Sequence, residues 1–336
     1  MKKILLTIMA VFIGFSAMPL SASAETISLT YSNFFPPTHI QSKLAQQWCD
    51  EVAKRTDGKV KVSYFPGGTL TKAKQCYDGV VEGLSDIGLS ALAYSRGRFP
   101  TMAVVDLPLG YKSGMGATKV ANEVYEHFKP KELSDVAPMY FHAHGPGLLF
   151  TAKKPVKTLA DIKGLKLRGT GNSGKLIKIL GGAPVAMSMP DTYQAIRKGV
   201  VSGGMYPMET NKGWKMAEVV DYCTLDFPVA YTTTFFVAMN KDKWNSIPAD
   251  LQIIITEINK EWAVKHGQAW DDSDAAGKEF FVKKGGEFIT LSDAEGNAWK
   301  EKAAPMMTEY IEATDSKGLK GKEILDFTMK SLEKAQ

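Results

Sequence analysis

The sequence predicts two α/β lobes that face each other across a cleft. Three observations predict it. The 336 residues exceed what one ordinary hydrophobic core accommodates. The first third alternates short apolar strands with amphipathic helices, the order that builds a parallel sheet with helices on its faces. A unit of helix, glycine stop and short glycine-bearing strand occurs around residues 84–89 and again over 200–206. Two similar lobes enclose a cleft, the usual place for a small-molecule site.

Residues 1–24 precede the fold. Lys2 and Lys3 give a positive start, 4–17 is an apolar run, and Ala22-Ser23-Ala24 has the small residues of a cleavage site. The run is too short and wrongly flanked to span a membrane. Export to a bacterial periplasm and cleavage before Glu25 are expected. No lipid anchor is expected, because the first cysteine is Cys49. Composition is that of a soluble globular protein, 44% hydrophobic and 23% charged. The formal charge of +5 falls to +3 without the two leader lysines, and no basic cluster remains to argue for nucleic acid. The odd count of cysteines, Cys49, Cys76 and Cys223, rules out a full disulfide framework. Buried free thiols are expected, with Cys49–Cys76 as the alternative pair.

In the mature chain, 27–32 alternates as a strand, and Asn33-Phe34-Phe35-Pro36-Pro37 breaks it. Thr38 is expected to cap a helix with apolar residues at Ile40, Leu44, Trp48 and Val52. Asp57-Gly58 turns the chain into a strand over 59–65. A helix over 71–82 stops at Gly83, and 85–90 reads as a buried strand. Ligands bind beyond the carboxyl ends of such strands, where Phe34, Phe35, Ala91, Leu92 and Tyr94 stand. A helix over 118–128 and a strand over 137–141 follow. His142 and His144 have a spacing that can ligate a metal from a strand. No nearby Cys, Asp or Glu completes a site, so no metal is expected. The strand over 148–151 crosses to the second lobe.

There, Thr158-Leu159-Ala160-Asp161 is a capping box for a one-turn helix. The short strand around Leu165 and Leu167 ends in Arg168, followed by Gly169-Thr170-Gly171 and a helix over 173–180. A fixed guanidinium beside free amides at a helix start suits a carboxylate. The alternative is a surface ion pair. Ser188-Met189-Pro190-Asp191 is a second capping box for a helix reaching Gly199. The β-branched and aromatic run over 231–239 is a strong strand that returns to the first lobe. A long helix over 248–270, continuing to 283, carries a broad apolar stripe. A strand over 288–291, a helix over 294–310 and a helical tail over 317–336 complete the chain.

Several of these segments resemble one family. They are the leader, F-P-G-G-T-L, V-E-G-L-S-D-I-G-L-S, K-K-P-V-K-T-L-A-D-I-K-G-L-K-L-R, M-P-D-T-Y-Q-A-I-R-K-G-V-V-S-G-G and N-K-D-K-W-N-S-I-P-A-D-L-Q. Across essentially the whole mature chain, the sequence resembles the solute-binding proteins of tripartite ATP-independent periplasmic (TRAP) transporters, of the dicarboxylate-binding type. The resemblance implies a type II-like, clam-shell periplasmic-binding-protein fold with hinge strands and one long helix spanning both lobes. The lobes are then 25–146 with 233–275, and 147–232 with 276–336. A monomer without cofactor or metal is expected. The resemblance implies delivery of an organic anion to the small and large subunits of a membrane permease. It also puts the carboxylate-gripping arginine at Arg168.

Where relatives that bind sugar acids use polar contacts, this chain has Phe34, Ala91, Leu148 and Tyr206. The covering aromatic position holds Met189. A polyol or dicarboxylate there would leave buried polar groups unpaired, at about 1–3 kcal/mol each. The expected ligand is therefore a monocarboxylate with an aromatic or bulky apolar tail. Phe34 or Phe35 packs against it, and Tyr206 with Thr232 or Thr233 reaches a 2-oxo, 2-hydroxy or amino group. Trp214 either walls the cleft or packs in a domain core. Sugar acids and C4-dicarboxylates are the alternative ligands, and ligand presentation to a sensor is the alternative role. An enzyme is not expected, because no nucleophile elbow, metal set or carboxylate pair is present.

Overall fold

The computed structural model describes residues 26–336, so the expected leader and its cleavage site lie outside the described residues. The chain opens with β1 (Ile27–Asn33), α1 (Ile40–Arg55), β2 (Val60–Phe65), α2 (Cys76–Val81), β3 (Ile87–Ala91), α3 (Gly114–Phe128) and β4 (Val136–Ala143). A second unit follows: β5 (Gly147–Thr151), α4 (Leu159–Ile162), β6 (Lys166–Arg168), α5 (Gly171–Leu180), β7 (Ala183–Val185), α6 (Met189–Arg197), β8 (Gly203–Pro207), α7 (Thr210–Gly213) and β9 (Tyr222–Leu225). The chain continues through β10 (Thr234–Asn240), α8 (Lys241–Ser246), α9 (Ala249–Lys283), β11 (Glu287–Thr290), α10 (Asp293–Ala303), α11 (Pro305–Asp315) and α12 (Gly321–Ala335).

The strands form two sheets, ordered β2-β1-β3-β10-β4 and β11-β9-β5-β8-β6-β7. This is a two-lobe mixed α/β fold. In the first sheet β1, β2 and β3 are parallel, as expected, but β10 runs antiparallel to β3 and β4. The physical reason is its route. It comes back from the second lobe at the carboxyl ends of β3 and β4 and inserts between them, so it must run against both.

Local sequence explains most elements and two departures. On α1 the stripe Leu44, Trp48 and Val52 is buried, whereas Ile40 is 37% exposed. His39 caps this helix in place of Thr38, its Nδ1 accepting the Gln41 amide at 3.2 Å. The helix expected from residue 71 begins only at Cys76. The Thr71 amide donates instead to Ser32 Oγ of β1 at 3.1 Å, which fixes that segment as a turn. Thr158 forms the expected capping box with Asp161. All three cysteines are buried free thiols.

The helix α9 has 35 residues, a length of ~52 Å. Its first half is pinned to α1 by Trp48 Nε1 donating to Asn259 Oδ1 and by Trp262 Nε1 donating to the Leu44 carbonyl. Its second half enters the other lobe. Gly277 lies against the backbone of Met208 and Glu209, and Phe281 packs edge-on to Phe150. The terminal α12, expected with the second lobe, packs instead on α3 of the first. Ile324, Leu325, Thr328 and Leu332 are buried, and Ser331 Oγ donates to the Glu123 carboxylate. The tail is polar in composition but strongly amphipathic, so its apolar stripe needs a partner.

Candidate functional site

The strand β6 is three residues long and delivers Arg168 at its last position. Bracketing by β7 and β8 fixes its direction. The guanidinium is held by two carbonyls: Nε donates to Met187 O and Nη1 to Met205 O, both at 3.1 Å. The residue is only 5% exposed, and no carboxylate among the described residues pairs with it. The surface ion pair that the sequence left open is therefore absent. A buried cation without a countercharge is costly, and an entering anion removes that cost. Two of the amides expected to assist, those of Gly169 and Thr170, are not free. Gly169 N donates to Val185 O, and Thr170 N donates to Ser173 Oγ within the capping box of α5. What remains beside the guanidinium is the Tyr94 hydroxyl, which accepts the Met189 amide at the first turn of α6. Burial raises the pKa of Tyr94, so it stays protonated.

The walls around Arg168 are aromatic. Phe34 stacks with Trp214 at 6.1 Å and Phe235 at 6.3 Å, and meets Tyr94 edge-on at 5.7 Å. Trp270 of α9 stacks on Phe235 at 5.3 Å. Aromatic faces and edges in this arrangement suit a planar apolar guest. His39 of the first lobe and Glu209 of the second form a buried hydrogen-bonded pair at 3.0 Å, and Asp274 of α9 accepts the Glu209 amide. Burial, with Glu209 as a neighbour, pushes the Asp274 carboxyl well above the usual carboxylate range.

The space these walls enclose is about 30 Å³. A benzene-sized guest needs more, so entry requires the lobes to part. The contacts that hold them together are identifiable. Met189 meets Tyr94, Asn172 Nδ2 donates to Ala103 O at 2.8 Å, and Gly171 lies against Ala93 so closely that an added Cβ would stand 3.1 Å away.

This architecture is shared. The family model described as bacterial extracellular solute-binding protein, family 7, matches residues 31–313. The chain belongs to this family. It is 28% identical over 324 residues to the C4-dicarboxylate-binding periplasmic protein DctP of Rhodobacter capsulatus, covering 91% of this chain and 94% of that one. Among solved structures, a TRAP solute-binding protein of Rhodoferax ferrireducens with copurified benzoate superposes at a TM-score of 0.87. The identity is 28%, and the match covers 92% of this chain and 98% of that one. A marine metagenome TRAP solute-binding protein, specific for aromatic acids and crystallised with 3-hydroxybenzoate, superposes at 0.88. The identity is 26%, with 93% and 99% covered. Family 7 proteins of TRAP systems are periplasmic receptors that bind small molecules and work with membrane permease subunits.

The family 7 cavity of this chain brings together Arg168, Phe34, Phe35 and Met189. Tyr206, Thr233 and Trp214 also line it. Three expected residues stand elsewhere. Ala91 is inside β3 opposite Phe235, Leu148 is inside β5 opposite Tyr206, and Thr232 is fully buried with its hydroxyl donating to the His144 carbonyl at 2.6 Å. Cross-strand partners share a face, so Ala91 lies beside Phe235 and Leu148 beside Tyr206, and the larger rings reach the cavity while these two do not. His142 is also internal: its Nδ1 accepts Trp270 Nε1 and its ring stacks on His266. Sequence reasoning missed His144, Phe235 and Trp270 as lining residues. The strand alternation over 231–239 could have flagged Phe235. Nothing local marked Trp270, the 22nd residue of a helix with a long apolar stripe.

Proposed function

We propose that this chain is a periplasmic TRAP receptor for a monocarboxylate bearing an aromatic ring, exported with its leader removed before Glu25. Arg168 anchors the carboxylate and Tyr94 adds a hydroxyl donor. Phe34, Phe35, Met189, Trp214 and Phe235 hold the ring, while Tyr206 and Thr233 border it. The observation that carries this reading is a buried guanidinium without a countercharge, opening onto aromatic walls. Burying about 100 Å² of aryl surface contributes roughly 2–3 kcal/mol beyond the salt bridge. The neighbours bound to benzoate and 3-hydroxybenzoate support the same class. A C4-dicarboxylate fits less well, because Arg168 is the only Lys or Arg among the described residues that lines the cavity. A second carboxylate would enter without a countercharge.

The test is a melting screen of organic acids with mass spectrometry of any ligand released from the purified protein. Aryl carboxylates are expected to raise Tm. A response confined to sugar acids or dicarboxylates would sink the ligand class. Arg168→Ala is expected to weaken binding at least tenfold, about 1.4 kcal/mol, and a smaller loss would remove Arg168 as the anchor.

A further inference from the structure

His144 lines the Arg168 cavity and is 3% exposed. Its Nδ1 lies 2.6 Å from the Gly145 carbonyl oxygen. A carbonyl only accepts, so Nδ1 carries the ring proton. Burial, opposed by the Gly145 hydrogen bond and reinforced by the Arg168 cation, brings the pKa of His144 down to about 4 and keeps the ring neutral. In a neutral imidazole with Nδ1 protonated, Nε2 is an acceptor. Nε2 makes no hydrogen bond among the described residues. The ring is also fixed in place. Thr232 Oγ1 ties down the His144 carbonyl, and the ring meets Tyr231 edge-on at 5.6 Å.

The Tyr206 and Thr233 hydroxyls that also line the cavity can turn to donate or accept, whereas this nitrogen can only accept. Arg168 only donates, and the Tyr94 oxygen already accepts from Met189. The Glu209 carboxylate is engaged by His39. The carboxylate of a bound acid cannot satisfy Nε2, since it too only accepts. A guest that fills the cavity needs a donor elsewhere on its frame, or it leaves a buried acceptor unpaired.

We propose that His144 Nε2 accepts a hydrogen bond from a hydroxyl of the bound acid, making this receptor selective for hydroxylated aryl carboxylates over their deoxy counterparts. The inference rests on the aryl-carboxylate reading of the Arg168 site. It assigns to this histidine the discrimination that the aromatic walls, which offer no directional contact, cannot make. Because an unpaired buried polar group penalises the wrong ligand, the expected preference is roughly tenfold or more.

Three acids sharing one frame test it by calorimetry: phenylacetate, 3-hydroxyphenylacetate and mandelate. The wild type is expected to bind at least one hydroxy acid roughly tenfold more tightly than phenylacetate. In His144→Phe that ratio should collapse towards one, while His144→Gln, which keeps an acceptor, should retain part of it. His144→Leu serves the same purpose should the Phe variant not fold. A wild type without preference for either hydroxy acid, or a preference that survives loss of the acceptor, overturns the role of His144. Binding of all three acids that depends on Arg168 but not on His144 would leave the receptor reading intact and remove only this one. Failure of all three to bind the wild type would remove both.

Discussion

At the scale of single residues, burial decides chemistry. Asp106 accepts both the amide and the hydroxyl of Thr234 at 2.8 Å, yet desolvation pushes its pKa up to about 7. Between roughly pH 4 and 7 the folded chain holds a proton that the unfolded chain has released, so this group lowers stability as pH rises through that window. Burial drives His144 down to about 4 and His266 to about 3, which works the other way. Their neutral folded forms lose stability as pH falls from about 6.5 towards those values. The two effects oppose each other between about pH 4 and 6.5. Asp106→Asn keeps the acceptor and removes the acid. It is expected to be more stable than wild type above pH 7, by up to a few kcal/mol, with the advantage vanishing near pH 4. Melting curves from pH 4 to 8 check this, and a constant offset would contradict it. Arg168 was legible at this scale because a strand end followed by glycine is a local pattern. The consumption of its neighbouring amides was not, since it depends on which of Thr170 and Ser173 wins the cap.

At the scale of elements, periodicity located α1 and α9, capping signals located α4 and α6, and turn chemistry located the Asp57-Gly58 and Gly83 breaks. What periodicity could not supply was the partner of an element. The antiparallel entry of β10 and the docking of α12 on α3 are decisions of tertiary packing. So is the shortening of α2, where one amide prefers Ser32. The helix α9 shows how narrow such packing is. A Cβ at Gly277 would stand 2.3 Å from the Met208 carbonyl oxygen, a backbone atom that cannot swing aside. Gly277→Ala is expected to cost about 1–3 kcal/mol in urea unfolding, despite the better helix propensity of alanine. A stabilised variant would show that the second lobe is not seated on α9.

At the scale of the whole molecule, binding is an equilibrium between parted and closed lobes. A ligand favours closure only by contacts made in the closed form. Asn172 offers a way to read that equilibrium without touching the Arg168 cavity, because it does not line it but bonds Ala103 of the other lobe. Asn172→Ala is expected to weaken apparent affinity for an aryl acid about three- to tenfold, matching the loss of one hydrogen bond worth about 0.5–1.5 kcal/mol. An unchanged Kd would mean that this bond forms in both states. Two lobes and a cleft were readable from length and from the repeated unit. Which residues meet across the cleft was not, because Phe235 and Trp270 come from segments far from Arg168 in sequence.

The single helix rooted in both halves gives this receptor an internal ruler. Ile253 and Val282 are exposed near its two ends, and 29 residues of helix separate them by ~43 Å. Spin labels there should report one constant spacing through the capture cycle, while a pair astride the mouth tracks every opening. Any shortening of the ruler would reveal that the rod itself flexes, and that the pivot lies within it rather than in the connecting strands.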